Sequence, residues 1–181
     1  MKKILIVVDM QKDFINGSLG SVDAQKIVPN VKEKINTYID EGCNIIFTRD
    51  THANNYLETF EGKNLPVEHC IFKTDGWQII PELAGYITSY PSAIVVNKPT
   101  FGYEGWKSLS RKEFLDIDNC EIELIGVCTD ICVISNALVL RMVYPDCKIT
   151  VDASCCAGVT KEKHNAALEV MKSCQINVIG E

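Results

Sequence analysis

The sequence predicts a three-layer α/β/α fold around a mostly parallel, doubly wound sheet of about six strands, and three observations support it. Short runs rich in Ile and Val recur along the chain, each bounded by turn or charged residues. The runs lack clean polar alternation, which is typical of strands covered on both faces. Segments with helical periodicity lie between the runs, so the strands need crossover connections and pair in parallel.

The apolar runs give the strands in order. We predict strands at Ile4–Val8, Asn44–Thr48, Ala93–Asn97, Ile122–Gly126, Lys148–Val151 and Ile176–Ile179. The 181 residues, 46% of them hydrophobic, are enough for one sizeable core and too few for two comfortable domains. We therefore expect a single domain over residues 1–181.

Two helices are clearest between the strands. One has an apolar stripe formed by Ile27, Val31, Ile35 and Ile39, and we expect this helix to end at Gly42. The other follows Thr160, a suitable N-cap, and its predicted stripe is Ala166, Ala167, Val170 and Met171. His164 falls on the predicted exposed side of this helix, and we assign it no role.

Charge and cysteine placement limit the possible partners and surroundings. The net charge is −6 and no stretch concentrates Lys and Arg, so neither nucleic acid nor an anionic membrane is an expected partner. The first apolar run is too short for a signal peptide, and none approaches the roughly 18 to 20 residues of a membrane helix. The nine cysteines are odd in number and lie mostly in or beside apolar runs. We expect a soluble, reduced, cytoplasmic chain whose partners are small molecules or copies of itself.

Reactive side chains follow four of the predicted strands. Asp9, the pair Asp50 and His52, Lys98, and the segment Cys128 to Cys132 each come directly after a strand. Ligands bind at the carboxyl ends of parallel strands because the strand-to-helix loops gather there. The sequence therefore predicts a functional site at this edge of the sheet.

The two cysteines after the fourth strand differ in position. Cys132 comes three residues after Thr129, a good N-cap, so we expect it in the first helical turn, where the helix dipole lowers a thiol pKa toward neutrality. An adjacent Lys98 would add a cation, and Asp9 could accept the thiol proton. The backbone N–H groups of Cys128 and Cys132 could form an oxyanion hole. A disulfide or a metal pair remains an alternative.

A second set of residues fits a metal site. Asp50 and His52 lie two apart in an extended segment, so both can bind one divalent ion, and His69 could return from the long loop as a third ligand. Glu61 and Glu58 are candidates for a fourth, with Glu61 preferred. Zn²⁺ is the first choice, and Fe²⁺ or Mn²⁺ are alternatives. Alternatively, the histidines only satisfy hydrogen bonds in the loop.

Several motifs together resemble the isochorismatase-like cysteine hydrolases, and most closely the nicotinamidases. They are VVDMQKDF at Val7–Phe14, TRDTH at Thr48–His52, LPVEHC at Leu65–Cys70, KPTFG at Lys98–Gly102, GVCTDICV at Gly126–Val133 and VDASCCAG at Val151–Gly158. They span nearly the whole chain. One departure is Cys128, where family members commonly carry Ala, which places a second, oxidation-sensitive thiol near the site.

The resemblance implies a catalytic triad of Asp9, Lys98 and Cys132. In family terms, Asp9 takes the thiol proton, Lys98 pairs with the thiolate, and Cys132 attacks an amide carbonyl to form a thioester that water cleaves. The resemblance also implies a cis peptide bond between Val127 and Cys128. It further implies a dimer or tetramer.

For the substrate, the resemblance implies nicotinamide, hydrolysed to nicotinate and ammonia for NAD salvage. The family's ion holds the pyridine nitrogen, and Asp50, His52 and His69 favour that subfamily. Phe14, Tyr103 and Trp106 are candidates for an aromatic wall against the ring.

Other functions are compatible with parts of the same sequence pattern. The same chemistry could act on another small amide, a carbamoyl compound or a ureido compound. The fold could also serve a catalytically silent binding protein. A nucleotide-binding protein has little support, because Asp9-Met10-Gln11 stands where a G-x-G-x-x-G motif would follow the first strand.

Overall fold

The computed structural model describes residues 2–109 and 120–181. Six strands form its sheet: β1 (Lys2–Val8), β2 (Asn44–Asp50), β3 (Ala93–Lys98), β4 (Cys120–Val127), β5 (Lys148–Ala157) and β6 (Asn177–Ile179). The helices within these ranges are α1 (Lys12–Ile15), α2 (Val22–Lys26), α3 (Val28–Asp40), α4 (Phe60–Asn64), α5 (Pro81–Ser89), α6 (Trp106–Leu109), α7 (Ile134–Val143) and α8 (Lys161–Ser173).

The sheet is parallel throughout, with the strand order β3-β2-β1-β4-β5-β6. All six predicted strands are confirmed, as is the doubly wound α/β class. The order reverses between β1 and β4, and a crevice opens at such a switch point, at the carboxyl ends of the strands. Four strands, β2 to β5, run further at their carboxyl ends than predicted. Two of them, β2 and β3, continue to Asp50 and Lys98, which are register partners. The sheet itself therefore sets Asp50 beside Lys98.

The core lies on both faces of the sheet because side chains alternate along each strand. In β1, Ile4, Ile6 and Val8 pack with residues of α6, α7 and α8, whereas Leu5 and Val7 pack with residues of α1, α2, α3 and α5. Burial of each such side chain contributes about 1.5–3 kcal/mol. This two-sided packing explains why the strand sequences show no polar alternation.

The connection between β4 and the following helical turn depends on Gly126. Its φ is +115°, a conformation that side chains rarely adopt, and a Cβ there would collide with the backbone of Val8. β4 can therefore lie close to β1 at the point where both strands deliver residues to the crevice.

The helix stripes were predicted with unequal success. In the α3 region, the buried positions include Ile27, Val31 and Ile35, as expected. α8 begins after Thr160, whose hydroxyl accepts a hydrogen bond from Lys163 N (3.2 Å), which confirms the N-cap. Its buried face, however, is formed by His164, Ala167, Leu168 and Met171, while Ala166 and Val170 are exposed.

The assignment of His164 to the exposed side of α8 was therefore wrong. The ring is 7% exposed and lies on the face that packs toward the sheet. His164, Ala167, Leu168 and Met171 have the i, i+3, i+4, i+7 spacing of residues on one helix face, so the histidine faces inward with the other three.

Two further features of the described ranges concern the cysteines and the helices. The eight cysteines whose side chains the structure describes are all free thiols. No helix there combines the length and the apolar character that crossing a bilayer requires.

Candidate active site

Three side chains meet at the switch point of the sheet. Lys98 Nζ lies 2.6 Å from Asp9 Oδ2 and 3.5 Å from Cys132 Sγ. Asp9 and Lys98 are fully buried, and Cys132 is 5% exposed. The predicted convergence of the ends of β1, β3 and β4 is confirmed, and it brings a carboxylate, an ammonium and a thiol into contact.

Asp9 is held in place from several directions. Its φ is +49°, in the left-handed region that non-glycine residues visit at a cost of about 1–3 kcal/mol. The Thr48 hydroxyl donates to Asp9 Oδ1 (2.6 Å) and accepts from Asp9 N (3.2 Å). This leaves Oδ2 to face Lys98.

Burial raises the pKa of the Cys132 thiol well above its ordinary value; Lys98 opposes this rise, and Asp9 and Asp50 add to it. The expected lowering of this pKa toward neutrality is therefore not found: removal of the sulfur from water outweighs the nearby cation. Burial raises the pKa of Asp9 too, against the influence of Lys98. A carboxylate with a raised pKa is a stronger base, so Asp9 is suited to take the thiol proton.

Lys98 remains a cation in this setting. Burial acts to lower the pKa of its ammonium, but Asp9, Cys132 and Asp50 outweigh burial and raise that pKa above the ordinary value. A fixed positive charge beside Sγ stabilises the sulfur whenever it is ionised.

Cys132 lies in a π-helical turn, Thr129–Val133, that leads into α7. Val133 N donates to Cys128 O (3.0 Å), and Asn136 Nδ2 donates to Cys132 O (2.8 Å). The peptide bond between Val127 and Cys128 is cis, as the family resemblance implied. Cys132 lies in the first turn, as expected.

The prediction that Thr129 is the N-cap of this turn was wrong. Cys128 occupies that position, without a side-chain capping bond, and Thr129 is the first residue of the turn. The Thr129 hydroxyl instead lies 2.8 Å from His164 Nδ1, with both side chains buried. His164 therefore connects α8 to the turn that contains Cys132, a role that became visible only with the three-dimensional packing.

A second group of side chains lies beside the first. Asp50, His52, Glu61 and His69 each offer one ligand atom, and these four atoms lie within 4.8 Å of one another. Asp50 Oδ2 is 2.9 Å from His52 Nε2 and 3.6 Å from His69 Nε2. Glu61 Oε1 is 3.6 Å and 3.8 Å from the same two nitrogens. Glu58, the alternative fourth residue, is not in the group.

The donor set fits a divalent cation. His69 Nδ1 lies 2.8 Å from Val67 O, which places the proton on Nδ1 and leaves the Nε2 lone pair facing the group. Two imidazoles and two carboxylates suit Zn²⁺, and also Fe²⁺ or Mn²⁺. Burial acts to raise the pKa of Asp50, but the contacts with His52 and His69 and the charge of Lys98 outweigh burial and lower that pKa, so Asp50 is an anion able to bind a cation.

The position of Asp50 depends on Gln11, which sequence analysis gave no role. The Gln11 side chain is fully buried; it donates to Asp50 O (2.9 Å) and Trp77 O (2.9 Å) and accepts from Asp50 N (2.7 Å). The sequence signal for this role was a side-chain amide two residues after Asp9, just beyond the end of β1.

Both groups open onto one cavity of about 950 Å³, whose lining includes Cys132, Cys128, Asp50, His52, Glu61 and His69. Phe14 also lines it, and its ring centroid lies 5.5 Å from that of His69. This agrees with the expected position of Phe14 in an aromatic wall.

Tyr103 and Trp106 lie outside the cavity lining, and their sequence-based assignment to the wall is corrected. Trp106 is fully buried and donates through Nε1 to Asn136 Oδ1 (3.0 Å). Tyr103 packs edge-on against Trp106, with 5.1 Å between ring centroids. The cavity has Phe101 in its lining instead.

A thiol beside a carboxylate that can act as its base is an arrangement that nucleophilic catalysis can use. Residues 3–180 match the family model described as Isochorismatase domain. The chain belongs to this family and is a hydrolase.

Solved structures agree with this membership. A pyrazinamidase of Pyrococcus horikoshii in complex with zinc is 26% identical, with a TM-score of 0.82 over 100% of both chains. A pyrazinamidase/nicotinamidase from Streptococcus mutans is 25% identical, with a TM-score of 0.82 over 98% of this chain and 100% of that one.

A more distant structure has the same fold. It is an N-carbamoylsarcosine amidase from Thermoplasma acidophilum, 23% identical, with a TM-score of 0.78 over 99% of this chain and 96% of that one. A search among curated proteins finds no significant match.

Proposed function

We propose that this hydrolase is a metal-dependent cysteine amidase that converts nicotinamide to nicotinate and ammonia. The observation that carries the proposal is that the group of Asp50, His52, Glu61 and His69 lines the same cavity as Cys132. A ring nitrogen and a carboxamide on one small molecule can then meet a metal ion and a nucleophile together. The similar structures of a pyrazinamidase and a pyrazinamidase/nicotinamidase support this assignment.

The first half-reaction forms a thioester. As Sγ of Cys132 attacks the carboxamide carbon, the thiol proton passes to Asp9 and the carbonyl oxygen becomes an oxyanion. The backbone N–H groups of Cys128 and Cys132 donate to that oxyanion. The C–N bond then breaks, Asp9 returns its proton to the departing nitrogen, and ammonia leaves.

The second half-reaction releases the acid. Asp9 takes a proton from a water molecule, whose oxygen attacks the thioester carbon. The C–S bond breaks, and the sulfur leaves beside the Lys98 ammonium, which stabilises its charge. Asp9 then returns its proton to Sγ, so the carboxylate and the thiol regain their starting states.

A divalent cation, with Zn²⁺ the first choice, would be held by Asp50, His52, Glu61 and His69, and when bound it supplies a Lewis acid for the pyridine nitrogen. The Phe14 ring lies beside His69 and can pack against a flat substrate ring. In this proposal the chain is cytoplasmic, acts as a homo-oligomer and contributes to NAD salvage.

Ammonia release by the purified protein tests the proposal. The protein is loaded with Zn²⁺, Fe²⁺ or Mn²⁺ in turn and incubated with nicotinamide, a carbamoyl compound or a ureido compound. We expect ammonia from nicotinamide and loss of that activity after chelation. Hydrolysis of only the carbamoyl or ureido compounds would favour the alternative substrate class, and no ammonia from nicotinamide with any metal would contradict the proposal.

A further inference from the structure

The cavity is larger than a single pyridine ring with its carboxamide requires. Its volume of about 950 Å³ lies near the upper end of the range of about 300–1,000 Å³ that holds drug-sized ligands. The reacting groups occupy its buried part, where Asp50, His69 and Cys132 are 5% exposed or less. A small amide bound there would leave the outer part of the cavity to water.

The outer part is bordered by an apolar rim, which we define as Phe60, Leu65, Phe101 and Val159. These four side chains line the cavity and are exposed by 86%, 38%, 44% and 50%. Among the described residues, ten large hydrophobic side chains are exposed, so four of the ten surround this one opening. Single exposed apolar residues are ordinary, but a group of them on one concave surface is typical of ligand-binding grooves and of protein interfaces.

The rim is supplied by separate chain segments. Phe60 and Leu65 lie at the two ends of α4, Phe101 follows β3, and Val159 precedes α8. Apart from Lys163, the acidic, basic and histidine side chains of the lining are the four of the metal group. The outer cavity therefore offers apolar contact to a ligand whose polar end is bound deeper.

We propose that the preferred substrates of this site are aromatic carboxamides that carry an apolar extension. The carboxamide lies at Cys132, and the extension lies along the apolar rim. This inference rests on the proposed amidase function. The extension removes apolar surface of the rim from water, which strengthens binding in proportion to the area covered.

The test compares kcat/KM for nicotinamide with that for nicotinamides bearing a methyl, propyl or phenyl group on a ring carbon remote from the carboxamide. We expect kcat/KM to rise with the size of the group, by about tenfold or more for phenyl. Phe60→Ala and Phe101→Ala should each lower the ratio of phenyl-substituted to parent kcat/KM by several-fold.

Phe72→Ala is the matched control. The Phe72 side chain is 46% exposed, nearly as much as that of Phe101 at 44%, but it is not part of the cavity lining. It should leave the ratio unchanged. An equal fall of the ratio in Phe72→Ala would contradict the role of the rim.

Other outcomes distinguish a failure of this inference from a failure of the proposed amidase function. Hydrolysis of nicotinamide with equal or lower kcat/KM for every extended amide would overturn the inference and leave the proposed function standing. Hydrolysis of none of these amides by the metal-loaded protein would contradict the proposed function itself. If Phe60→Ala and Phe101→Ala change the mass in solution and not the substrate ratio, the rim contacts a second copy of the chain, and the inference is wrong.

Discussion

Asp50 Oδ1 lies 3.6 Å from Lys98 Nζ, while the other oxygen of the same carboxylate lies 2.9 Å from His52 Nε2. One side chain thus faces both the triad and the candidate metal group. The contact follows from the sheet, since Asp50 and Lys98 are register partners at the ends of β2 and β3. The two halves of the site therefore keep a fixed distance from each other.

The two cysteines of the nucleophile turn should respond differently to the same substitution. Cys132→Ala removes the sulfur that Lys98 contacts and should abolish turnover. Cys128→Ala should leave much of the activity, because only its backbone is needed. Ammonia release measures both, and an equal loss in the two variants would show that the nucleophile is wrongly assigned.

Asp9→Asn should lower kcat by about 10²–10⁴-fold, because an amide cannot accept the thiol proton. The variant also removes the nearest carboxylate from the buried Lys98 and leaves only the longer contact with Asp50, so we expect a stability loss of about 3–5 kcal/mol, measured by denaturant unfolding. Asp152→Asn is the control, since Asp152 is also a buried carboxylate in an ion pair, with Lys34 at 2.8 Å. Comparable loss of kcat in both variants would exclude Asp9 as the base.

Substitution of a candidate metal ligand should remove the metal. Loss of a residue that only hydrogen-bonds to a metal ligand typically weakens metal binding by about 10–100-fold. We expect His69→Ala, which removes a ligand itself, to weaken Zn²⁺ binding by more than this, as determined by titration with a competing chelator. His164→Gln provides the comparison, because that histidine is buried but lies outside the group. If both proteins bind Zn²⁺ equally well, His69 is not a ligand.

His164 should make stability depend on pH. Burial lowers the pKa of its ring, with Lys161 adding to this and Asp130 and Asp23 opposing it. The folded chain thus binds fewer protons there than the unfolded chain, whose histidine pKa is about 6.5. The contribution of His164 is complete above about pH 6.5 and is lost as the pH falls from there toward the folded pKa.

The measurement is urea unfolding of the wild type and His164→Gln between pH 5 and 8. We expect the wild type to lose up to about 1.4 kcal/mol per pH unit more than the variant below pH 6.5, and the two slopes to agree above pH 7. The same slope in both proteins throughout would show that His164 does not bind a proton on unfolding.

The strand ends could be predicted from sequence, because a parallel sheet brings its carboxyl ends to one edge whatever the details of packing. This rule placed Asp9, Asp50, Lys98 and Cys132 together. The rule does not cover His69, which was expected only to return from the long loop; the path of that loop is not encoded in any simple period.

Other features depended on three-dimensional packing. His164 was misplaced because the α8 stripe was assigned one position out of phase, and only the sheet decides which face is buried. Trp106 could face the cavity or the core, and its hydrogen bond to Asn136 selects the core. The pKa of Cys132 depends on how much water reaches the sulfur, which local sequence does not determine.

The central claim is that Cys132 becomes acylated during amide hydrolysis. It is tested most directly by rapid acid quenching of the metal-loaded protein with nicotinamide, followed by peptide mass spectrometry. We expect a nicotinoyl group on the peptide that contains Cys132, located on that residue and absent from Cys132→Ala. Turnover without any acyl adduct on Cys132, or an adduct confined to Cys128, would contradict the proposed mechanism.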